Sequence, residues 1–252
     1  MQRLFNAVAL VGSLAPVACT SVPPPDSSGE LDVDAVVTIP PAAALPRDLT
    51  PVTRDDVCVT AGTLDAARTH DAELAVDSGG MRAVVPGDSG VAAEVAFTYL
   101  GPSHETTPLA NGEVRRQIGL KLRAKDTCNV VYIMWHVDPT PGVFVSVKHN
   151  PGLDTHAACG ANGYIHLPPP DAARKLPLVT PGSKHTLRAE LDGITLRVKA
   201  DGIVVWEGDL PPEAFMFDGP SGVRSDNGQF DFELRLPASR MKANCVRDGR
   251  AE

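Results

Sequence analysis

The sequence predicts an all-β protein, folded as a two-sheet antiparallel β-sandwich. Short runs of alternating apolar and polar residues recur from about residue 60 to residue 236. Two Asp-Gly pairs, a strong hairpin signal, lie close together in the second half of the chain. No window shows the spacing of an amphipathic helix. Around a dozen strands with regular turns favour a jelly roll, with a closed barrel as the alternative.

Residues 185–211, "HTLRAELDGITLRVKADGIVVWEGDLP", predict three consecutive strands. Apolar side chains alternate before, between and after the pairs Asp192-Gly193 and Asp201-Gly202. Asp-Gly supplies the positive φ angles of a type I′ turn, whose twist matches that of the flanking strands. The pattern therefore predicts an antiparallel meander with one buried face and one wetter face.

Further strands are predicted in the middle and at the end of the chain. The run "CNVVYIMWHV" is almost continuously apolar, which is typical of a central strand covered on both faces. "GVFVSVKHN" alternates Phe144 and Ser146 on one side with three valines on the other. "QFDFELRL" alternates aromatic and aliphatic residues with charged ones. Only single helical turns are expected, at 171–175 or 212–215.

The first residues have the layout of a secretory signal. "MQRLFNAVALVGSLAPVAC" has one basic residue, a short apolar stretch and then small residues. That stretch is too short to span a bilayer as a helix. The Ala18-Cys19 junction resembles a bacterial lipobox, which implies lipidation of Cys19, although Pro16 stands where the pattern has Leu. We expect a lipid-anchored protein of the cell envelope, at the outer membrane or cell surface; plain secretion is the alternative.

The predicted organisation has four parts: a signal peptide (1–18), a Pro-rich disordered tether (19–52), a jelly-roll domain (53–247) and a short tail (248–252). Pro, Ser, Asp and Ala dominate the segment after Cys19 without a sustained period, as in a semi-extended spacer. A short strand around Val36, Val37 and Ile39 is the alternative for part of that segment.

Four further cysteines behind a secretory signal predict two disulfides, for which three connectivities exist. Sandwich folds often bring their first and last strands together, which favours Cys58–Cys245. Cys128–Cys159 then joins two central segments. None of the cysteines has Cys-x-x-Cys spacing, so zinc binding and thioredoxin-type chemistry are disfavoured.

The charge pattern argues against a nucleic-acid partner. The net charge is −8 and no segment is dense in Lys or Arg, whereas nucleic-acid binding depends on neutralising phosphates. The chain also has no Gly-x-Ser-x-Gly, P-loop or dinucleotide fingerprint.

The stretch from Ser183 to Leu236 resembles the second half of concanavalin A-like and laminin-G-like jelly rolls. The resemblance implies the fold, and it implies little about activity, because this fold hosts lectins, glycan-binding modules, adhesion modules and glycosidases. The residues that carry it are Gly182, His185, Leu187, Ile194, Leu196, Asp201, Gly202, Gly219, Gly222, Phe230 and Phe232.

Aromatic and planar polar residues on two neighbouring strands and the following loop form the candidate carbohydrate site. An alternative for Tyr132 and Trp135 is that they fill the core. The predicted ligand-binding residues are Tyr132, Trp135, His136, Lys148, Asn150, Tyr164 and His166.

The sequence signals for a catalytic site or a metal site are weaker than those for the carbohydrate site. Glu207, Asp209 and Glu213 resemble the Glu-x-Asp-x-x-Glu of family-16 glucanases, but the spacing is one residue too long and Pro211-Pro212 interrupts the strand. We interpret them as solvated carboxylates. Asp231 and Glu233 share a face that is expected to be the polar side of the last strand.

Two groups of residues contain side chains that can bind a metal ion. Asp218, Asp226 and Asn227 offer the oxygen ligands that calcium prefers, but glycine-rich turn chemistry explains the same residues and is the favoured interpretation. No metal or other cofactor is therefore predicted, with a calcium site as the alternative. His149, Asp154 and His156 follow no established metal spacing and are expected to be loop residues.

These observations favour an envelope-anchored protein that binds a glycan or another surface ligand without catalysis. A glycoside-active enzyme on the same fold and a structural envelope module without a small ligand are the alternatives. The enzyme predicts two facing carboxylates, the binding protein predicts an exposed aromatic ring, and the structural module predicts neither.

Overall fold

A computed structural model describes residues 48–68, 72–109, 111–168 and 176–237. These residues form thirteen strands, a four-residue helix α1 and two 3-10 helices, Arg54–Asp56 and Pro212–Phe215. The elements are β1 Leu49–Pro51, β2 Cys58–Ala61, β3 Asp65–Ala66, β4 Leu74–Val84, β5 Ala92–Pro102, β6 Arg116–Leu122, β7 Val130–Asp138, β8 Gly142–Lys148, α1 His156–Cys159, β9 Tyr164–Leu167, β10 Lys184–Asp192, β11 Thr195–Ala200, β12 Ile203–Asp209 and β13 Gly222–Pro237.

The antiparallel strands form two sheets, and the predicted β-sandwich jelly roll is confirmed. The first sheet has the order β12-β11-β10-β5-β13, and the second continues β13-β6-β7-β8-β9. Strand β13 belongs to both, because Gly222–Asp226 pairs with β6 and Gly228–Arg235 pairs with β5. Strand β4 follows β13 along its other edge.

A break in the regular pairing marks the place where β13 passes between sheets. Asn227 has a positive φ of 54°, and the register with β5 shifts between Gln229 and Phe230. Such irregularities bend a strand and increase its twist. One long strand can therefore connect two sheets without a loop.

The main core lies between the sheets and is built around a few aromatic rings. Phe97 meets Trp135 edge-on at 5.6 Å between ring centroids and Phe230 at 5.8 Å. Edge-to-face pairs contribute beyond their buried area. These rings come from both sheets, so they fix how the sheets face each other.

Strand β7 is covered on both faces, as its apolar run predicts. Val131, Ile133 and Trp135 belong to the main core. On the opposite face, Tyr132 and Met134 belong to a second, smaller cluster with Ala124 and Val130. The second sheet therefore has a partly covered outer side.

The predicted three-stranded meander is β10-β11-β12, with one difference in its turns. Asp201 and Gly202 both have positive φ angles, as the type I′ turn requires. In the first hairpin, however, Asp192 pairs with Thr195, so the turn residues are Gly193 and Ile194. Only Gly193 has positive φ there, so the turn starts one residue later than expected.

The predicted boundary between tether and domain is wrong. Leu49–Pro51 pairs with the end of β13, and Val52 is buried in the main core. The ordered fold therefore includes residues assigned to the tether, because β13 offers them a free edge next to the core.

One predicted disulfide, Cys128–Cys159, is present. Cys58 is disulfide-bonded as well, but Cys245 lies outside the described residues, so the Cys58–Cys245 pairing stays a prediction. The predicted helical turn at 212–215 is confirmed, while its alternative at 171–175 lies outside the described residues.

The remaining N- and C-terminal predictions also fall outside the described residues: the signal peptide 1–18, Cys19, the strand around Val36, the end of the domain at 247 and the tail 248–252. In the part of the chain that is described, no helix has the length and apolar character needed to cross a membrane.

Candidate functional site

The second sheet presents one face to the main core and another away from it. Since side chains alternate along a strand, the residues between the core positions of β6 to β9 and of β13 share this second face. We call it the polar face. Its side chains are those of Gln117, Lys121, Tyr132, Met134, His136, Phe144, Ser146, Lys148, Tyr164, His166, Arg224 and Asp226. Arg82 of the paired strand β4 and Arg115, next to β6, contact this face through Asp226 and His136, and we include them in it.

Strand register arranges the polar face as a grid. One row places Gln117 between Asp226 and His136. A neighbouring row contains Arg224, Met134 and Phe144, with Gly119 between the first two. The Met134 side chain covers Gly119, since a Cβ built there would lie 2.8 Å from the Met134 Sδ atom. A Cβ at this position would lie 2.2 Å from the backbone oxygen of Ile133, so the strands require glycine there.

Aromatic rings occupy the β7–β9 side of the polar face. Tyr132 stacks on Tyr164 at 6.3 Å between ring centroids, and Tyr164 stacks on His166 at 5.7 Å. His136 stacks on Phe144 at 4.0 Å. Tyr132 and His136 are buried, Tyr164 is half-buried, His166 is exposed and Phe144 is 42% exposed. The accessible rings are therefore those of Phe144, Tyr164 and His166.

A buried ion cluster lies on the β4–β13–β6 side. The carboxylate of Asp226 accepts hydrogen bonds from Arg82 at 2.9 Å, Arg224 at 2.8 Å and Gln117 at 2.6 Å. Burial alone would raise the pKa of Asp226, but the charges of Arg224 and Arg82 and these hydrogen bonds lower it below its ordinary value. Asp226 is therefore ionised, and it holds the two guanidinium groups in place.

Arg224 joins the ion cluster to the rings, since its guanidinium carbon lies 4.9 Å from the centre of the Tyr132 ring. Burial opposes its positive charge, but Asp226 overcomes that effect and raises the pKa of Arg224. The cluster is thus a fixed, fully charged feature.

His136 is a neutral imidazole inside this cluster. Burial, together with the nearby charge of Arg115, lowers the pKa of His136 to about 3. The Nη1 atom of Arg115 lies 3.4 Å from the His136 Nε2 atom, and Glu113 binds the same arginine on its other side. At neutral pH, Arg115 therefore donates to a neutral imidazole nitrogen.

Gln117 has one hydrogen-bonding atom without a partner. Its amide nitrogen donates to Asp226, whereas its buried Oε1 accepts no hydrogen bond from the described residues. A buried acceptor without a donor is costly, and such groups in native proteins usually mark a site for water or a ligand. The orphan oxygen lies in the same row of the grid as Asp226 and His136.

The prediction that Trp135 binds a ligand is wrong. Its side chain is 1% exposed and packs in the main core against Phe97 and His185. Trp135 lies on the same side of β7 as the core residues Val131 and Ile133, so its ring points between the sheets. The alternative interpretation, that Trp135 fills the core, is the one that the structure supports.

Lys148 and Asn150 also leave the predicted binding set. The Lys148 ammonium donates to the backbone oxygens of Thr127 and Gly160, and the Asn150 amide donates to those of Cys128 and Asn162. Both residues are buried and hold the loops on either side of the Cys128–Cys159 disulfide. Of the seven predicted residues, Tyr132, His136, Tyr164 and His166 bring their rings to the polar face, the first two at its buried floor. The buried Lys148 ammonium lies 5.3 Å from the centre of the Tyr164 ring.

The residues of the alternative calcium site are each engaged by different partners. Asp218 faces Arg123 at 3.4 Å, while Asp226 is held by two arginines. Asn227 binds the backbone of Thr107 through both ends of its amide. Among the described residues, no group of three or more His, Cys, Asp or Glu side chains is arranged to hold a metal ion, and His149 packs against the ring of Phe217. Calcium dependence stays an untested prediction.

The predicted solvated carboxylates lie on the outside of the first sheet. Glu207 pairs with Arg197, and Asp209 accepts a hydrogen bond from Thr195. On β13, Asp231 and Glu233 do share the polar side of the strand, but Asp231 is fully buried and accepts hydrogen bonds from Arg68. Glu207 and Asp209 are therefore held by neighbouring strand residues, and Asp231 is held by an arginine distant in the sequence.

One constellation outside the polar face has the distances of an acyl-transfer triad. His185 lies 2.9 Å from the Ser183 hydroxyl and 2.8 Å from the Asp201 carboxylate. The Ser183 hydroxyl, however, donates to the backbone oxygen of Thr180 at 2.6 Å, and the Thr180 amide donates back to it. A nucleophile must present its hydroxyl to a substrate, so this group closes a turn and fixes the start of β10.

Sequence reasoning missed several residues of the polar face. Phe144 and Arg224 alternate visibly in their strands and were accessible from periodicity alone. Arg82, Arg115 and Gln117 come from separate segments, and their meeting depends on the register of β4, β13, β6 and β7. That register cannot be obtained from a single sequence.

The fold defines the class of the protein: an antiparallel β-sandwich jelly roll, here with aromatic rings and arginines on the outer face of its second sheet. No protein-family model matches the chain, and no curated protein matches it in sequence. The similarities found are to solved structures.

Three of these solved structures are described here with their sequence identity, coverage and TM-score. The carbohydrate-binding module CBM66 from Bacillus subtilis is 14% identical, with a TM-score of 0.48, over 70% of this chain and 91% of that chain. The carbohydrate recognition domain of Emp46p is 12% identical, with a TM-score of 0.45, over 79% and 97%. The apo Crh5 transglycosylase is 14% identical, with a TM-score of 0.45, over 81% and 89%. At these values the likenesses do not decide what this chain binds.

Proposed function

We propose that this protein is a non-catalytic glycan-binding protein and that its polar face is the binding surface. The observation that carries the proposal is the Phe144 ring, which is 42% exposed and stacked on His136 beside Arg115. Sugar rings present C–H faces that pack on aromatic rings, while planar polar groups bind their hydroxyls. The polar face combines both kinds of group within a few strands.

The polar groups next to Phe144 suit hydroxyl recognition. The neutral His136, the orphan oxygen of Gln117 and the partly exposed guanidinium of Arg115 offer both donors and acceptors. Buried neighbours fix the positions of these groups, so a ligand would meet a preorganised surface. Preorganisation reduces the entropy cost of binding.

The polar face favours binding over glycoside hydrolysis. Hydrolysis requires two carboxyl groups on either side of the scissile bond, about 5 to 10 Å apart. Asp226 and Glu113, the two acidic groups described at this face, are each held by arginine. A carboxylate kept ionised by arginine is a poor general acid, because it does not carry the proton that the leaving group needs.

The N-terminal sequence extends the proposal to location. A lipidated Cys19 and a Pro-rich tether would display the jelly roll at the cell envelope. Two acyl chains hold a protein to a membrane more stably than one. Detergent-phase partitioning of the expressed chain tests this part: wild-type chain should enter the detergent phase and Cys19→Ser should not.

Affinity electrophoresis of the full, oxidised chain through gels that contain different soluble polysaccharides tests the binding. Phe144→Ala should lose at least tenfold in affinity for any polysaccharide that retards the wild-type protein, because an aromatic anchor in a binding site typically contributes over 1 kcal/mol. Ile203→Ala is the matched control. Ile203 is 50% exposed but lies on β12 at the edge of the first sheet, so its replacement should leave retardation unchanged.

Each outcome of this test has a defined meaning. Equal loss in both variants, or no retardation by any polysaccharide with and without calcium, would contradict the proposal. Retardation that disappears with a chelator would support a calcium-dependent glycan site. Release of reducing ends from a bound polysaccharide would favour the enzyme alternative.

A further inference from the structure

The arginines of the polar face have more hydrogen-bonding capacity than their protein partners use. A guanidinium carries five N–H groups. In Arg82 only Nη2 contacts a partner among the described residues, the Asp226 carboxylate, and Arg82 remains 22% exposed. Arg224 likewise uses only Nε for a hydrogen bond. Within the described ranges, most N–H groups of both arginines therefore have no hydrogen-bond acceptor.

The charge of this cluster is positive although the whole chain is acidic. Arg82, Arg115 and Arg224 contact two carboxylates, Asp226 and Glu113, so the arginines of the cluster outnumber the acidic groups that bind them. The full chain has a net charge of −8. A polyanion is therefore repelled by the protein as a whole and attracted only where such a cluster is accessible.

The geometry suits an anionic group rather than a cation. The Arg82 and Arg224 side chains are oriented by the same Asp226 carboxylate, with contacts of 2.9 Å and 2.8 Å. Guanidinium groups held in a fixed orientation recognise planar anions such as carboxylates through paired N–H donors. The neutral state of His136 is consistent with this environment, because a cation there would add to the repulsion among the arginines.

From these observations we propose that the polar face selects glycans that carry anionic groups on their sugars, either uronate carboxylates or sulfate esters. The unused N–H groups of Arg82 and Arg224 bind the anion, while the Phe144 ring packs against a neighbouring sugar. This inference rests on the proposed glycan-binding function and names the class of glycan.

Polygalacturonate and its fully methyl-esterified form provide a matched pair of ligands, since they share a backbone and differ in charge. Dextran sulfate and dextran form the second pair. The full, oxidised chain should bind at least one charged polymer on the order of tenfold more tightly than its neutral counterpart, because hydrogen bonds to charged groups are the stronger ones. Raising the salt concentration should weaken this preference.

Arginine variants test which residues produce the preference for the charged polymer. Arg82→Gln should remove most of the preference for the charged polymer, and Arg82→Lys should restore part of it. Arg197→Gln is the control, because Arg197 is an exposed arginine, paired with Glu207 on the outside of the first sheet, and its replacement should change nothing. Circular dichroism and thermal midpoints verify that Arg82→Gln is folded, and Phe144-dependent binding of a neutral polymer provides a second check where one exists.

The possible failures are distinguishable. Phe144-dependent binding that is equal for the charged and neutral members of both pairs would overturn this inference and leave the proposed function intact. Absence of binding to all four polymers, and to the wider panel, would overturn both. A preference for charge that persists in Arg82→Gln and is lost in Arg197→Gln would also refute the inference, since it would place the anion site on the first sheet.

Discussion

Stability should depend on pH between 5.0 and 7.5 mainly through His136. The folded protein keeps this imidazole neutral, with a pKa of about 3 instead of 6.5. Below pH 6.5 the unfolded chain therefore binds a proton that the folded chain rejects. Stability must rise with pH in this window, since the unfolded state binds more protons there.

The expected loss of unfolding free energy follows from the shift in the pKa of His136. The lower pH of 5.0 lies 1.5 pH units below the unfolded-state pKa of 6.5 and is still above the folded-state pKa of about 3. Each unit corresponds to about 1.4 kcal/mol, so the wild-type protein should lose about 2 kcal/mol of unfolding free energy between pH 7.5 and pH 5.0. This lower limit stays above the ordinary pKa values of the paired acids Asp226 and Glu113, 3.8 and 4.5.

Urea unfolding of wild-type protein and His136→Gln at both pH values tests this account. Glutamine does not titrate, so the variant should lose less free energy than the wild type by about 2 kcal/mol, whatever its stability at pH 7.5. Equal losses in the two proteins would refute the claim that His136 is buried as a neutral group among Arg115, Glu113, Arg224 and Asp226.

Three other predictions concern the fold. Trp135→Ala should cost about 3 to 5 kcal/mol in urea unfolding, because it opens a cavity in the main core; a cost under 1 kcal/mol would contradict its placement. Asp226→Asn should lower stability by about 3 to 5 kcal/mol, because two arginines lose their buried counter-charge; an unchanged thermal midpoint would show that the ion cluster is dispensable. Replacing Cys128 and Cys159 together by Ser removes a cross-link that spans 31 residues and should cost about 3 to 4 kcal/mol, measured against the oxidised wild-type protein. As the control, the wild-type protein and the double variant should have the same stability once both are reduced.

Much of the fold could be predicted because alternation is a local property. The run in β7 indicated burial on both faces, and the Asp-Gly pairs indicated the meander. The register of the first hairpin could not be obtained to within one residue, since Asp192 can either pair in the strand or enter the turn. The strand Leu49–Pro51 was missed because three residues next to several prolines have no detectable period, and only the exposed edge of β13 makes them a strand.

The candidate site was predicted in part. Tyr132 and His136 lie on β7 and Tyr164 and His166 on β9, with β8 between them, so all four share one face as grouped, although the last two lie on a third strand instead of a loop. Trp135 was misplaced because an aromatic residue one position away in a strand points to the opposite face, and a doubly covered strand gives no hint of which face is which. Arg82 and Arg224 were missed because their importance follows from a shared contact with Asp226, which joins strands distant in the sequence.

The central claim is that the polar face of the second sheet is the binding surface. Amide chemical-shift mapping of the ¹⁵N-labelled full chain, titrated with a short oligosaccharide of the tightest-binding polymer, tests it most directly. The account predicts that the shifts cluster on β6 to β9 around Phe144, His136 and Tyr164 and on β13 around Arg224. Shifts confined to the meander β10-β11-β12, on the outside of the first sheet, would contradict it.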